Sequence, residues 1–208
     1  MRPPWESHDP TSQFDSEQTA IRVGHYKWLE MKLFEFLGGF VAMAPELDIK
    51  VTLGNHCYHH AFHAELWHRR LPELGKLKPD ELAVAPHSEV EALFTSFAAP
   101  GEGQRRANDT LDKLVGLYRV ILPALINAYT YHRHNASRLR DAPTLRILDL
   151  CLHDDLEQWR QGEMMIQAML TSAEAVDFAV EAQRERLKML VEAGGLVGGG
   201  TIGGYEVT

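Results

Sequence analysis

The chain has 208 residues, 45% of them apolar, with two cysteines and a formal charge of −8 from 21 basic and 29 acidic side chains. That length suits one domain with a sizeable core, and the acidic balance excludes a nucleic-acid binder, since no broad basic face neutralises phosphates. Two cysteines cannot build a disulfide framework, so the sequence reads as a cytoplasmic protein in a reducing setting. The opening MRPPWESHDPTSQFDSEQ lacks the apolar core of a secretory signal, and uncharged runs such as Phe36 to Pro45 and Val120 to Tyr131 fall short of a bilayer's thickness. No membrane partner is expected.

Pro3, Pro4 and Pro10 among Ser, Asp and Gln make residues 1–18 a flexible arm. A helix is expected from Thr19 to Met43, with Tyr26, Leu29, Leu33, Leu37 and Phe40 as its apolar stripe. Pro45 breaks it, and a second helix covers Leu47 to Leu71. A polar connection with Gly75, Pro79 and Pro86 follows. Ser88 to Glu91 reads as a capping box opening a short helix to Phe97.

A third long helix spans Gln104 to His134, where Pro123 removes a backbone donor and should bend the chain away, opening room beside it. Asp141 caps a fourth helix, with Pro143 in its first turn. Thr171 to Glu174 is a second capping box, opening a fifth helix to Ala193. Residues 194–208 hold seven of the sixteen glycines and read as a flexible tail; no phosphate-loop motif occurs there. No strand is expected, so the fold class is all-α.

The chemistry-bearing stretch is NHCYHHAFHAELWH, from Asn55 to His68. At about 100° per residue, His56, His60, His63 and Trp67 share one sector of the second helix, with His59 at its edge and His68 turned away. Glu30 flanks the stripe of the first helix. Asp155 lies at the centre of the fourth helix's stripe, Leu148, Cys151, Leu152, Asp155, Trp159, Gly162 and Ile166, with Gln158 one step round and His153 and Asp154 pointing away. On the third helix no inward carboxylate is expected; Tyr118, Tyr129 and His132 are its polar members. A buried carboxylate without a partner costs several kcal/mol. Glu30 and Asp155 therefore need either a metal shared with His60 and His63, or hydrogen bonds to those imidazoles in a polar core network. HHAFH carries the outer histidines of the zincin motif but replaces its glutamate with His60, which excludes a metalloprotease.

Stretches such as LGNHCYHHAFHAELWHRRLPEL and DAPTLRILDLCLHDDLEQW resemble the ferritin-like superfamily over residues 19 to 170. That resemblance implies an antiparallel four-helix bundle, here followed by an additional C-terminal helix, as one domain over residues 19–193. In the family, two helices each give one Glu and two each give Glu-x-x-His to a di-iron or di-manganese centre. Here Glu30 matches the single Glu of the first helix, and His63 the His of the second. His60 stands where that second helix would carry Glu. Asp155 replaces the Glu of the fourth helix, and Gln158 its His.

What remains resembles a smaller two-histidine, one-carboxylate iron(II) centre built from Glu30, His60, His63 and Asp155; manganese and zinc fit by ligand type as well. On this reading the protein is a metal-dependent oxidoreductase acting on a small organic substrate. His60, His63 and Tyr118 are then the catalytic residues, and His56, His59, Trp67, Tyr129, Gln158 and Trp159 support the site or line a pocket. A rival reading is a metal-free enzyme using His60 or His63 as general acid or base. A third is a non-catalytic bundle that binds a ligand or partner. A homodimer is compatible with such bundles.

Overall fold

Asp15 opens the first helix through a reciprocal capping box: its carboxylate accepts from the Gln18 N–H, and the Gln18 side chain accepts from the Asp15 N–H. Helix α1, Ser16–Met43, therefore begins earlier than the apolar stripe alone implies. Residues 16–18 belong to the helix and not to an arm. The computed structural model describes residues 14–74, 80–97 and 109–197 in full, and residues 79, 98, 201–202 and 205–206 by their backbone. Most of the expected arm, with Pro3, Pro4 and Pro10, lies outside the described residues.

Pro45 ends α1, and α2 follows over Leu47–Arg70, closed by a 3₁₀ turn, Leu71–Glu73. A single turn, α3 (Pro79–Leu82), sits in the segment expected to be only a connection, and α4 covers Ser88–Ala98. Next comes α5, Asp109–Asn135. It is long and apolar enough to cross a membrane by composition, but 67% of its most apolar window is buried inside the molecule, as in a core helix. The chain continues through α6, Ala142–Met169, and α7, Ala173–Glu192. Among the described residues the fold is all-helical, except for a two-residue antiparallel pairing of Thr201–Ile202 with Tyr205–Glu206, which the sequence pattern did not announce.

Cross-helix partners fix how the long helices run. Between α1 and α2, Tyr26 lies beside Trp67, Glu30 beside His60, and Cys57 donates to the Phe34 carbonyl. Numbers rise along one helix as they fall along the other, so the pair is antiparallel. The same reasoning makes α2 antiparallel to α6, from His56–Gln161, His63–Asp154 and Arg70–Thr144. It also makes α5 antiparallel to α6, from Arg119–Glu163 and Arg133–Asp149. Lys113 over the Phe40 ring and Tyr129 on Glu30 set α5 antiparallel to α1. The stripe Tyr26, Leu29, Leu33, Leu37 and Phe40 is buried as expected.

Two helix ends differ from their sequence patterns. Asp141 occupies the N-cap of α6, but its carboxylate accepts from the Ser137 N–H and makes no cap bond. Ser172, rather than Thr171, caps α7 through the Ala175 N–H. After α7, Gly194 and Gly195 take positive φ and turn the chain back. Leu196 and Val197 are thereby buried, so the first part of the glycine-rich tail belongs to the core.

Around Pro123 the helix is not simply bent. Residues Leu117–Ile121 form a π-segment, in which the Leu122 N–H reaches back five residues to the Leu117 carbonyl. Pro123 follows in the first turn of the resumed α-helix, where its missing donor is least costly. The widened turn does not leave the expected room, because Tyr118 within it packs directly on Gly162 of α6. A Cβ added to Gly162 would lie 2.0 Å from the Tyr118 ring. Gly162→Ala should therefore destabilise the protein by about 2 kcal/mol net, the overpacking cost outweighing alanine's helix preference. At Gly39 no atom lies within 4 Å of an added Cβ, and alanine there should stabilise by roughly 0.5–1 kcal/mol. Urea unfolding of both variants checks the sign at each position.

Candidate metal centre

Glu30 from α1, His60 and His63 from α2, and Asp155 from α6 converge in the interior. One ligand atom from each lies within 4.8 Å of every other, and all four residues are buried. His60 and His63 reach the same point because a three-residue step returns to one helix face. Donors around an ion bound at about 2.0–2.2 Å stand roughly 3–4 Å apart, so the set is open by a side-chain adjustment. The buried Glu-His-His-Asp group can hold a metal ion.

The hydrogen bonding is lopsided. Glu30 is satisfied on both oxygens: Oε2 meets His60 Nδ1 at 2.5 Å, and Oε1 accepts from the Tyr129 hydroxyl at 2.5 Å. Trp67 Nε1–H in turn donates to Tyr129 at 3.1 Å. Asp155 is the opposite case: among the described residues neither of its buried carboxylate oxygens has a hydrogen-bond partner, and nor has His63 Nδ1. That nitrogen stands 3.4 Å from Glu30 Oε1 and 3.8 Å from Asp155 Oδ1. Gln158, one turn beyond Asp155, is also buried with both amide atoms unpaired. Native interiors leave few such groups.

Charge follows the same division. Burial alone would raise Glu30, but the imidazoles of His60 and His63 outweigh it and hold the carboxyl down at about 2. Burial would lower His63, and the Glu30 charge beside it reverses this and raises it. Asp155 is pushed well up, first by burial and then by Glu30. Cys151, one turn before Asp155, is a buried thiol raised to about 12 by burial, consistent with a small core side chain.

Asp154 is the residue the periodicity missed. Expected to point away, it lies at the seam of α2 and α6, with Oδ2 3.1 Å from His63 Nε2. Accepting the Nε2–H there keeps that proton on the outer nitrogen, so the proton a metal would displace is the one on Nδ1, and Asp154 sets the tautomer a metal ligand needs. Asp154→Asn should cost about 10–100-fold in metal affinity without unfolding the chain; competition with a fluorescent chelator measures it.

The other expected site residues divide into two groups. Trp67 and Tyr129 sit directly behind Glu30. His56 and Tyr118 form a separate pair one turn along α2, with His56 Nδ1 2.5 Å from the Tyr118 hydroxyl and Nε2 2.9 Å from Gln161 Oε1. Burial lowers His56 to about 4, so it is neutral and accepts the phenol proton bond. Tyr118 thus stands apart from the four-residue cluster, and Tyr129 is the tyrosine that touches it. His59 stays at the rim, and burial lowers it too. Trp159 is 39% exposed and faces outward from the bundle. The α6 core line advances through Cys151, Asp155, Gln158 and Gly162, which leaves Trp159 outside it.

No family model, curated protein or solved structure matches the chain. The functional reading rests on the site itself.

Proposed function

We propose that this protein binds one divalent transition-metal ion, iron(II) by preference, through Glu30, His60, His63 and Asp155, and that it is an oxidoreductase on a ferritin-like bundle. The observation that carries the reading is the convergence of four buried ligand residues in which, among the described residues, neither Asp155 nor His63 Nδ1 has a hydrogen-bond partner. Two imidazoles with one or two carboxylates are the donor set of mononuclear iron(II) centres, with manganese and zinc as competitors. Bound there, iron(II) supplies one-electron chemistry toward a small oxidant.

Charge balance supports an ion. With Glu30 held down and His63 held up by each other, that pair carries no net charge. A divalent cation beside two carboxylates and two neutral imidazoles is neutral as well. Metal binding therefore displaces protons, as deprotonated ligands require. The ferritin-like assignment is supported by the ring α1, α2, α6, α5, in which every neighbour is antiparallel. That order makes α2 and α5 run the same way, joined by one long crossover, as ferritin-like bundles require. A π-segment in α5, of the kind frequent at functional sites, adds to it.

Around the cluster, the chain's own residues exclude water and orient the ligands. Tyr129 holds Glu30 by its hydroxyl, Trp67 holds Tyr129, and Asp154 holds His63. The three cavities described, of about 210, 330 and 260 Å³, are lined by other residues. With the ligands sealed, the co-reactant has the size of dioxygen or peroxide, and an organic substrate would have to be correspondingly small. The same sealing weighs against the metal-free acid–base reading, which needs a substrate proton within hydrogen-bond reach of His60 or His63.

The test is metal analysis of tag-free protein after anaerobic iron(II) loading, with proton release followed in weak buffer. About one equivalent of iron with accompanying proton release supports the mononuclear centre. Protein that stays metal-free ends it, and about two equivalents would replace it with a dinuclear site.

A further inference from the structure

A centre this deeply buried needs a way in. On the α5 side it is closed by Tyr129, Trp67 and Tyr26, which interlock with ring centroids 4.7 to 5.8 Å apart and are fully buried. On α1, Leu29 and Leu33, next to and one turn from Glu30 in sequence, are fully buried. One turn along α2, the His56–Tyr118 pair packed on Gly162 fills the interior.

The seam between α2 and α6 is different. There Asp154, with a side chain 24% exposed, touches the outer nitrogen of His63. His59 lies at the same place, only partly buried. Its ring runs nearly parallel to that of His63, centroids 6.4 Å apart and planes at 20°, and its buried Nδ1 has no hydrogen-bond partner among the described residues. An imidazole and a carboxylate thus stand between solvent and the one ligand that faces both ways, Nε2 outward and Nδ1 inward.

We propose that His59 and Asp154 form an outer, transient site through which a divalent transition-metal ion is loaded past His63 into the inner centre. The inference rests on the metal-centre reading above. Imidazole nitrogen and carboxylate oxygen suit first-row divalent ions, and two protein donors completed by water hold such an ion more weakly than the four inside. An ion captured at the seam therefore moves inward. A 100° rotation about α2 separates His59 from His60, so His59 cannot join the inner set, and its role is confined to the rate of loading.

That confinement gives a sharp test. A residue on the route but outside the final site changes the rates of binding and release by one factor and leaves the equilibrium unchanged. Cobalt(II) is the probe, since its visible absorption reports low-coordinate nitrogen and oxygen ligation. Stopped-flow mixing measures uptake, and chelator-driven loss measures release.

In His59→Ala, both rates should fall on the order of tenfold against wild type, with the final spectrum and the affinity preserved. His59→Asp, which restores a donor at the rim, should recover much of the rate. Asp154 is left intact in these variants because it also sets the His63 tautomer. Unchanged rates in His59→Ala overturn the route and leave the centre standing. A loss of affinity with the rate overturns it too, by placing His59 in the centre itself. Wild-type protein that takes up no cobalt overturns both the route and the centre, and circular dichroism identifies any variant that fails to fold.

Discussion

Replacing His60 and His63 together should abolish metal binding outright. The two imidazoles are half of the ligand set, and a lone pair of carboxylates from α1 and α6 cannot hold one ion against water. Alanine, however, does more than remove ligands. His60 is a hydrogen-bond partner of Glu30, and the two imidazoles are what hold that carboxyl ionised. Without them a buried charge loses its compensation, which costs about 3–5 kcal/mol and endangers folding. The informative variant is His60→Gln/His63→Gln, which keeps volume and a polar atom near Glu30. Under anaerobic iron(II) loading it should stay metal-free while circular dichroism reports a native helix content. His68→Ala, on the exposed face of α2, should bind as wild type. A glutamine double variant that still carries wild-type iron would remove His60 and His63 from the ligand set and with them the proposed centre.

The four residues of the cluster were legible because each breaks a pattern. Glu30 and Asp155 are acids on apolar stripes, and His60 and His63 repeat at a helical step on a face shared with Leu53 and Trp67. Spacing alone therefore nominated the residues now found together. What spacing could not supply is the register between helices. Asp154 is off the α6 stripe by one residue, yet α2 passes so close that its carboxylate meets His63. Whether such a flank residue faces water or a neighbouring helix depends on which helix is adjacent and at what height.

The failures in α5 and α6 have a similar origin. Trp159 was drawn into the stripe by its size, four residues after Asp155. The helix actually advances by alternating steps of three and four, and this places Gln158 on the core line and Trp159 at 39% exposure. Tyr118 and Tyr129 share a face of α5, but Tyr118 sits inside the π-segment and the centre takes only Tyr129. A widened turn leaves no mark in the hydrophobic pattern except the proline that follows it. The all-helical class was legible throughout, since long 3.6-residue stripes and capping residues carry it locally.

Among the described residues no carboxylate of α5 joins the Glu30 cluster, as expected, but that helix buries one on its α7 side, Asp112, and it leads to a large stability effect. Asp112 is buried, and Arg186 of α7 meets it with both terminal nitrogens, Nη1 donating to Oδ1 at 2.8 Å and Nη2 to Oδ2. The guanidinium also lies over the Phe97 ring of α4, 4.8 Å from its centroid. Phe97 is itself pressed against Gly116, where an added Cβ would meet it at 1.8 Å. Arg186 thus ties α7 to both α4 and α5, and both charges are buried.

Asp112→Ala leaves that guanidinium buried with no counter-charge and should cost about 3–5 kcal/mol in urea unfolding. Removing both charges tells the pair's net worth apart from the penalty of breaking it. Asp112→Leu/Arg186→Met replaces ions with apolar groups of similar reach, and it should recover most of the loss, because two buried ions repay little beyond their own desolvation. A double variant as unstable as Asp112→Ala would mean instead that the ion pair itself, and not an apolar contact of the same shape, is what holds α7 on the bundle. Iron loading should be unaffected in any of these variants that folds, since Asp112 faces α7 and not the Glu30 cluster.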